Sequence, residues 1–335
     1  MLQTATILAN ALAGLTAPAG PGSPESSSED EPGFRTVVEA DDTDERDELA
    51  AQRRLDATTP GFATAVDVRN TPGARPADGL AEAVARTPGA STRSVGGLGQ
   101  FSAVSLRGSS PQQVAVFLDG VPLGNSLAGL VDLSDIPLDG LSRVELYRGH
   151  VPISFGSAAI GGAINLVTDL DDGPARMSVH GGGGSFGARQ TGVATSAPTQ
   201  TRKGPGPRWS VRFGYAGSEG NFPFYDTAGT PQYTGDDRTS IRTNNGYDRV
   251  LGQVRLDGRR AATRWSLQEL VVYKNRGEPG TASAPATSAS AERLAARTIA
   301  SVQRHRFGSP GGRIGWVFGF GVQRRRFEDP AGEVG

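Results

Sequence analysis

The 335-residue sequence contains no cysteine, three histidines and no run of 18 apolar residues. Without cysteine there is neither a disulfide framework nor a thiolate metal site. Without a long apolar run there is no membrane-crossing helix, so any passage through a bilayer requires strands. No sign of charge is in excess either: 34 Lys and Arg stand against 35 Asp and Glu, a formal net charge of −1, which argues against nucleic acid as a partner. His150, His180 and His305 are isolated, with no His-x-x-x-His pair or carboxylate cluster beside them, so no resident metal and no cofactor is expected.

Glycine is plentiful, at 47 residues, and it produces catalytic patterns cheaply. Gly182, Gly184 and Gly187 match a dinucleotide fingerprint, and Gly183, Ser185 and Gly187 match a nucleophile elbow. Both motifs need a following helix, yet residues 190–196 have no helical apolar face. Lys203 stands near where the fingerprint needs an acid, and His305 is the only histidine downstream of the elbow. The glycine run therefore reads as a tight turn between two strands, and the chain as no enzyme.

Residues 104–168 carry the strongest signal. They contain LRG at 106–108, LDG at 118–120, YRG at 147–149 and a closing GAINLVT at 162–168. Residues 103–106, 114–118, 144–147 and 164–167 are short β-rich runs, and Asp119-Gly120 is a turn signal because glycine accepts positive φ without steric cost. Upstream, residues 77–86 place Leu80, Ala83 and Val84 on one helical face, and Pro88 ends the helix by disfavouring αR at Thr87. The block is a compact α+β module. Its three tripeptides, in this order, and its closing segment resemble the plug domain of TonB-dependent outer-membrane receptors, which import scarce large nutrients.

After the plug, residues 208–215 alternate strictly, with Trp209, Val211, Phe213 and Tyr215 opposed to Arg208, Ser210, Arg212 and Gly214. The alternation recurs at Val250, Val254 and Leu256, and at Ile314, Trp316, Phe318, Phe320 and Val322 against small residues. Apolar residues facing lipid and small or polar residues facing a lumen are what a barrel strand requires, although a soluble β-sandwich alternates too. The strand near 264–274 fits less well, because Glu269 falls on the side of Trp265, Leu267, Val271 and Tyr273; a bulge or an interfacial position would account for it. Strands are expected near 176–184, 188–196, 208–218, 248–257, 263–274, 298–305 and 313–325. The links after the third and fifth are long and those after the fourth and sixth short, which makes the long ones external.

The expected fold is thus a small α+β plug domain followed by antiparallel transmembrane β-barrel strands, about seven of the roughly 22 in a plugged transporter. The chain reads as a fragment: residues 1–57 are a signal and disordered tail, 58–172 the plug, and 173–335 the N-terminal part of the barrel. An apolar stretch at residues 7–15 suggests an export signal, although no Lys or Arg precedes Arg35.

Within the acidic tail, Thr36, Val37, Val38, Glu39 and Ala40 form a small β-prone run similar to a TonB box. The resemblance implies that this box lies in the periplasm and pairs edge-to-edge with TonB, powered through the ExbB/ExbD proton-driven complex. It also implies that Arg107 and Arg148, from the LRG and YRG motifs, lock the plug against barrel glutamates located beyond Gly335. His150 and Phe155 depart from the usual Pro and Tyr. A ligand would meet apical loops carrying Leu98, Gln100, Phe101, Asn125 and Ser126, and external loops such as residues 220–246 with Phe222, Phe224, Tyr225 and Tyr233. The expected function is energised uptake across the bacterial outer membrane of a metal chelate, siderophore or cobalamin-like, with any iron or cobalt arriving inside the chelate. Other metal complexes, oligosaccharides, a non-energised porin or adhesin, and an inactive receptor fragment remain open.

Overall fold

The computed structural model describes residues 8–14, 63–67, 79–94, 99–123, 130–136, 138, 141–149, 151, 155, 160–168, 174–201, 204–230, 232–305 and 313–334. The TonB-box residues 36–40, and Leu98, Asn125, Ser126 and His150, lie outside this set. A strand β1 (Leu8–Gly14) comes first. The plug region follows with β2 (Ala63–Asp67), helix α1 (Leu80–Ala85), β3 (Ala90–Ser94), β4 (Ser102–Leu106), β5 (Val114–Leu118), β6 (Val121–Pro122), β7 (Arg143–Tyr147) and β8 (Gly162–Val167). Strands β2, β7, β8, β5 and β6 make one sheet in that order, with β5 and β8 parallel and the other pairs antiparallel. A second hairpin, β3 with β4, carries α1 against it.

Burial explains why these segments are strands. All six residues of β8 are buried, and Leu106, Leu118, Leu133, Leu146, Ile164 and Leu166 form one core with Leu80 and Val84 of α1. The buried helix face is Leu80, Ala81 and Val84, with Ala83 only half-buried. The expected Leu80, Ala83, Val84 stripe is therefore rotated by part of a turn, because the helix is covered by β3, β4 and the Leu133–Asp135 turn together.

Each glycine tripeptide ends its strand in the left-handed region. Arg107 and Gly108 have φ of 50° and 78°, Asp119 and Gly120 have 49° and 81°, and Gly149 has 111°. Asp119-Gly120 joins β5 to β6 as a two-residue hairpin with both central residues at positive φ, as a type I′ turn requires. The repeated glycines thus mark places where the backbone must leave a strand sharply.

The second sheet is a meander of β9 (Arg176–Gly183), β10 (Arg189–Thr201), β11 (Gly204–Ser218), β14 (Tyr247–Arg260), β15 (Thr263–Gly277), β16 (Ser290–His305) and β17 (Arg313–Glu328), antiparallel throughout. A small hairpin, β12 (Pro223–Asp226) with β13 (Arg238–Ile241), rises from the long link between β11 and β14. Strand β1 pairs with the far edge of β17, from Leu8 opposite Gly319 to Gly14 opposite Arg313, and covers backbone groups that a barrel would give to its next strand. The apolar segment read in the sequence as an export signal is therefore extended in the fold. The glycine run that mimicked two catalytic motifs is the end of β9 and a turn closed by the Gly184 amide donating to the Ala188 carbonyl at 2.8 Å. It leads into strand β10, so the helix required by both motifs is replaced by a strand.

One face of this sheet is exposed and apolar. Val211, Phe213, Val254, Leu267, Val271 and Phe318 lie on it, and all are exposed. Trp209, Trp265 and Trp316 mark one end, and Tyr215 and Tyr273 the other. Trp265 and Tyr273 are eight positions apart on β15. At about 3.4 Å per residue and a tilt of about 40° that is roughly 20 Å of height, near the apolar band of about 25 Å on a barrel wall.

Glu269 stands halfway between these girdles on the same face. No bulge rescues it, since β15 keeps unbroken register with both neighbours, and the expected irregularity is absent. The Thr298 hydroxyl on β16 donates to its carboxylate instead.

Candidate functional site

The opposite face of the sheet meets the plug, and its geometry is built by alternation. Because Leu267 and Val271 face outward, Gln268, Leu270, Val272 and Lys274 face the plug. Leu270, Ile299 and Val317 join the plug core directly. Gly319 of β17 lies where an added Cβ would fall 2.3 Å from Val121 Cγ1, so its lack of a side chain lets β6 approach. Gly319→Val is expected to weaken plug seating by about 1–3 kcal/mol, the cost of overpacking a tight contact. Hydrogen exchange of the plug amides in the intact protein reads this; rates equal to the parent's would mean the contact is slack.

Two polar clusters fasten plug to sheet. In the first, the Arg255 guanidinium on β14 is held by Asp257 at 2.8 and 2.9 Å. From there its Nη1 donates to the Thr168 carbonyl at 2.6 Å and lies 3.4 Å from Asp119 Oδ2. Asp119 itself accepts the Thr168 amide at 3.0 Å, so the LDG turn, the end of β8 and the sheet are joined in one network.

The second cluster surrounds the plug's Leu133–Asp135 turn. Asp132 organises it, accepting the amides of Ser102 and Ser134 at 3.0 Å each. Arg249 on β14 donates to the Ser134 carbonyl at 2.9 Å, and Lys274 on β15 reaches Ser134 Oγ at 2.7 Å and Asp135 Oδ1 at 3.1 Å. Arg293 on β16 pairs with Asp135, and Arg276 on β15 lies 3.5 Å from Asp132. Sheet cations thus hold plug carboxylates.

The residues expected from the sequence are placed differently. Arg107 and Arg148 converge: a Cβ on Gly89 would lie 3.6 Å from Arg148 Nε and 3.9 Å from Arg107 Cγ. Arg148 is buried, its Nη2 donates to Thr64 Oγ1 at 2.8 Å, and its Nε has no hydrogen-bond partner among the described residues. Burial, and then the neighbouring Arg107 charge, lower the Arg148 pKa. Gln100 is buried and donates to the Gly277 carbonyl at 3.2 Å, where β15 ends; Phe101 is half-buried.

A family profile, TonB-dependent Receptor Plug Domain, matches residues 56–163. That stretch contains all three tripeptides and every plug strand except the last residues of β8. Residues 56–163 are thus similar to the plug that TonB-dependent receptors carry. Among curated relatives, the vitamin B12 transporter BtuB of Photobacterium profundum is 40% identical over 116 residues, 35% of this chain and 19% of that protein. BtuB of Vibrio cholerae is 30% identical over 175 residues, 52% of this chain and 27% of that protein. The aligned part therefore spans about a fifth to a quarter of those relatives. In structure, the ferric yersiniabactin uptake receptor FyuA of Yersinia pestis matches with a TM-score of 0.59 at 19% identity, over 82% of this chain and 43% of FyuA. The copper transporter OprC matches with a TM-score of 0.61 at 12% identity, over 81% of this chain and 38% of OprC. Those likenesses concern the fold: a plug with the leading part of a barrel.

The links after β11 and β15 share one end of the sheet, the mouth, with the β9–β10 turn, whose Phe186 carbonyl accepts the amides of Glu219 and Gly220. The aromatic residues there divide. Phe222 packs edge-on against Phe186 at 6.1 Å, and Arg242 lies 5.7 Å over the Phe224 ring, so both serve loop packing. Tyr225 and Tyr233 are each 65% exposed, and the hydrogen bond from Tyr225 to Asp237 pushes its phenol pKa up. Glu333, beyond β17, takes the hydroxyls and amides of Ser288 and Thr287, which hold its pKa down to about 2 and tie two loops of the mouth together.

Proposed function

We propose that this chain is the tail, plug and leading barrel wall of a bacterial outer-membrane receptor that takes up a large scarce nutrient with energy delivered by TonB. The observation that carries the reading is a plug fastened by ion pairs to the inner face of a sheet whose outer face is an exposed apolar band. A plug in that position blocks passive flow, so uptake needs work done on it. TonB, driven by the ExbB/ExbD proton complex, supplies that work by pairing with the strand formed by Thr36, Val37, Val38, Glu39 and Ala40 in the periplasmic tail. Arg107 and Arg148 lock the plug against carboxylates of further barrel strands. The ligand is a metal chelate of the siderophore or cobalamin kind, in keeping with the vitamin B12 and ferric siderophore names of the relatives. Leu98, Gln100, Phe101, Asn125 and Ser126 form the plug's side of its site.

Val37→Pro in the intact receptor tests this, since proline removes a backbone N–H that strand pairing needs. Energised uptake is expected to fall to the level of a strain lacking TonB, while ligand capture at the cell surface stays intact. Uptake undiminished in the variant would support instead a non-energised, porin-like barrel.

A further inference from the structure

The outward face of the sheet differs between its two ends. At the Tyr215–Tyr273 end cations and carboxylates are interspersed. Arg189 lies 3.2 Å from Asp248, Arg326 pairs with Glu328, and the Tyr215 and Tyr273 hydroxyls donate to Asp248 and Glu292. At the tryptophan end there are cations without acids. Register places Arg260 of β14 opposite Thr263 of β15, and Thr263 opposite Arg304 of β16. These three form one transverse row, two positions beyond Trp265 and on the same face as its ring.

Both arginines are exposed, and neither has a hydrogen-bond or carboxylate partner among the described residues. Asp257, the acid nearest in sequence to Arg260, turns inward to Arg255. The sequence between β14 and β15 is Ala-Ala and that between β16 and β17 is RFGSPGG, so neither link carries an acid. One strand separates Arg260 from Arg304, which sets their backbones about 10 Å apart. Thr263 presents a hydroxyl midway between two side chains each longer than half that gap. Such an arrangement fits a phosphate, since guanidinium groups bind its oxygens through paired N–H donors.

The level of the row identifies the carrier of that phosphate. The Trp265 indole lies over Gly258, where an added Cβ would fall 2.4 Å from it, and it marks the edge of the apolar band. Two residues further along a strand tilted by about 40°, the arginine row stands about 5 Å beyond that edge, at headgroup height. Acyl chains hanging from a phosphate held there would run along Leu267, Val302 and Phe318, which are exposed on the same face. A soluble anion would leave that surface unused.

Resting on the outer-membrane barrel reading above, we propose that Arg260, Thr263 and Arg304 form a binding site for the phosphate of an anionic phospholipid, on the outside of the wall at the end away from the long loops. Trp265 packs against the glycerol and ester region of the same lipid. The clamp fixes the height of the wall in the bilayer at one leaflet, whereas the acids of the opposite end repel such a headgroup.

Phosphatidylglycerol is the probe, and native mass spectrometry of the intact receptor released from mixed micelles counts the lipid retained. The Arg260→Gln/Arg304→Gln double variant is expected to need about tenfold more lipid for the same occupancy, the loss of two charge-assisted contacts. The corresponding double lysine variant, which keeps charge without the paired donors, should fall between it and the parent. Arg324, an exposed outward arginine at the opposite end, is the control, and Arg324→Gln should retain lipid as the parent does. Glycerol 3-phosphate, which has the phosphate without the chains, should not displace the lipid at equal concentration. Retention by the double glutamine variant equal to the parent's, an equal loss in Arg324→Gln, or displacement by glycerol 3-phosphate would each overturn the lipid site. Each single glutamine variant keeps one arginine and carries the same test should the double variant not fold. The Val37→Pro uptake assay reads a different property: TonB-driven uptake stands if the lipid site fails, and the lipid site stands if uptake proves non-energised.

Discussion

Asp135→Ala is expected to loosen the plug in its barrel more than any other single change at the interface. Its carboxylate lies between Lys274, whose side chain is 3% exposed, and Arg293, and it is the only acid touching Lys274 among the described residues. Removing it leaves a buried ammonium and a guanidinium facing each other across neighbouring strands, with Arg249 and Arg325 on either side. Breaking a buried pair by deleting one partner typically costs about 3–5 kcal/mol, because the stranded charge keeps its desolvation penalty. At Asp135, exposed by 12%, the lower part of that range applies. Hydrogen exchange in the intact receptor should show amides of residues 130–136 and of β4 opening many-fold faster, since Asp132 links that turn to Ser102. Asp135→Asn, which keeps an acceptor for Lys274 without the charge, should fall between. Parent-like exchange in the alanine variant would mean that apolar packing by Leu270, Ile299 and Val317 seats the plug alone.

Glu145→Ala should unfold the plug sheet itself. The Glu145 side chain is 4% exposed and receives three donors: Arg143 Nε at 2.7 Å, the Tyr147 hydroxyl at 3.0 Å and Asn165 Nδ2 at 2.8 Å. Asn165 in turn accepts the Gly120 amide at 3.0 Å, so the network runs across β7 and β8 to the LDG turn. Alanine removes the acceptor of the Asn165 amide and one acceptor each of Arg143 and Tyr147 from the interior, a loss of about 3–5 kcal/mol by the same reasoning. Glu145→Gln keeps an acceptor oxygen and the side-chain volume, and its cost should be nearer the 1–3 kcal/mol of a weakened buried hydrogen bond. Denaturant unfolding followed on the plug measures both. Equal midpoints for the two variants would show that the charge has no part in holding β7 to β8.

Neither residue attracts notice in the sequence, for different reasons. Glu145 sits in a strand of alternating polar and apolar residues, where it reads as a solvent-facing side chain. Its burial comes from β8 lying alongside and presenting Asn165 at the same level. Asp135 reads as loop charge, and its importance exists only because three barrel strands arrive at one turn. The three glycine tripeptides, by contrast, were legible because each reports a local need, positive φ at a strand end, that no partner has to supply.

Strand identity in the barrel wall was legible to the same degree. Period-two alternation located all seven strands, although β16 begins at Ser290, eight residues before the expected start, because Leu294 is isolated among small and charged residues. The short strands β2 and β3 went unread, since few apolar residues mark them and their neighbours create them. Glu269 showed the limit of the pattern from the other side: one residue broke the alternation and the strand ran on regardless, because a cross-strand hydroxyl satisfied it.

By itself, then, the sequence determined the kinds of element and the faces they turn. Glycine fixes turns and alternation fixes which side chains point outward, and both are properties of a few consecutive residues. Only the tertiary structure decided which of those residues meet. Register is set by the pairing of whole strands, and a shift of a single position would have separated Arg249, Lys274, Arg293 and Arg325 and turned half of them toward lipid. The cation row and the plug carboxylate held against it are consequences of that pairing.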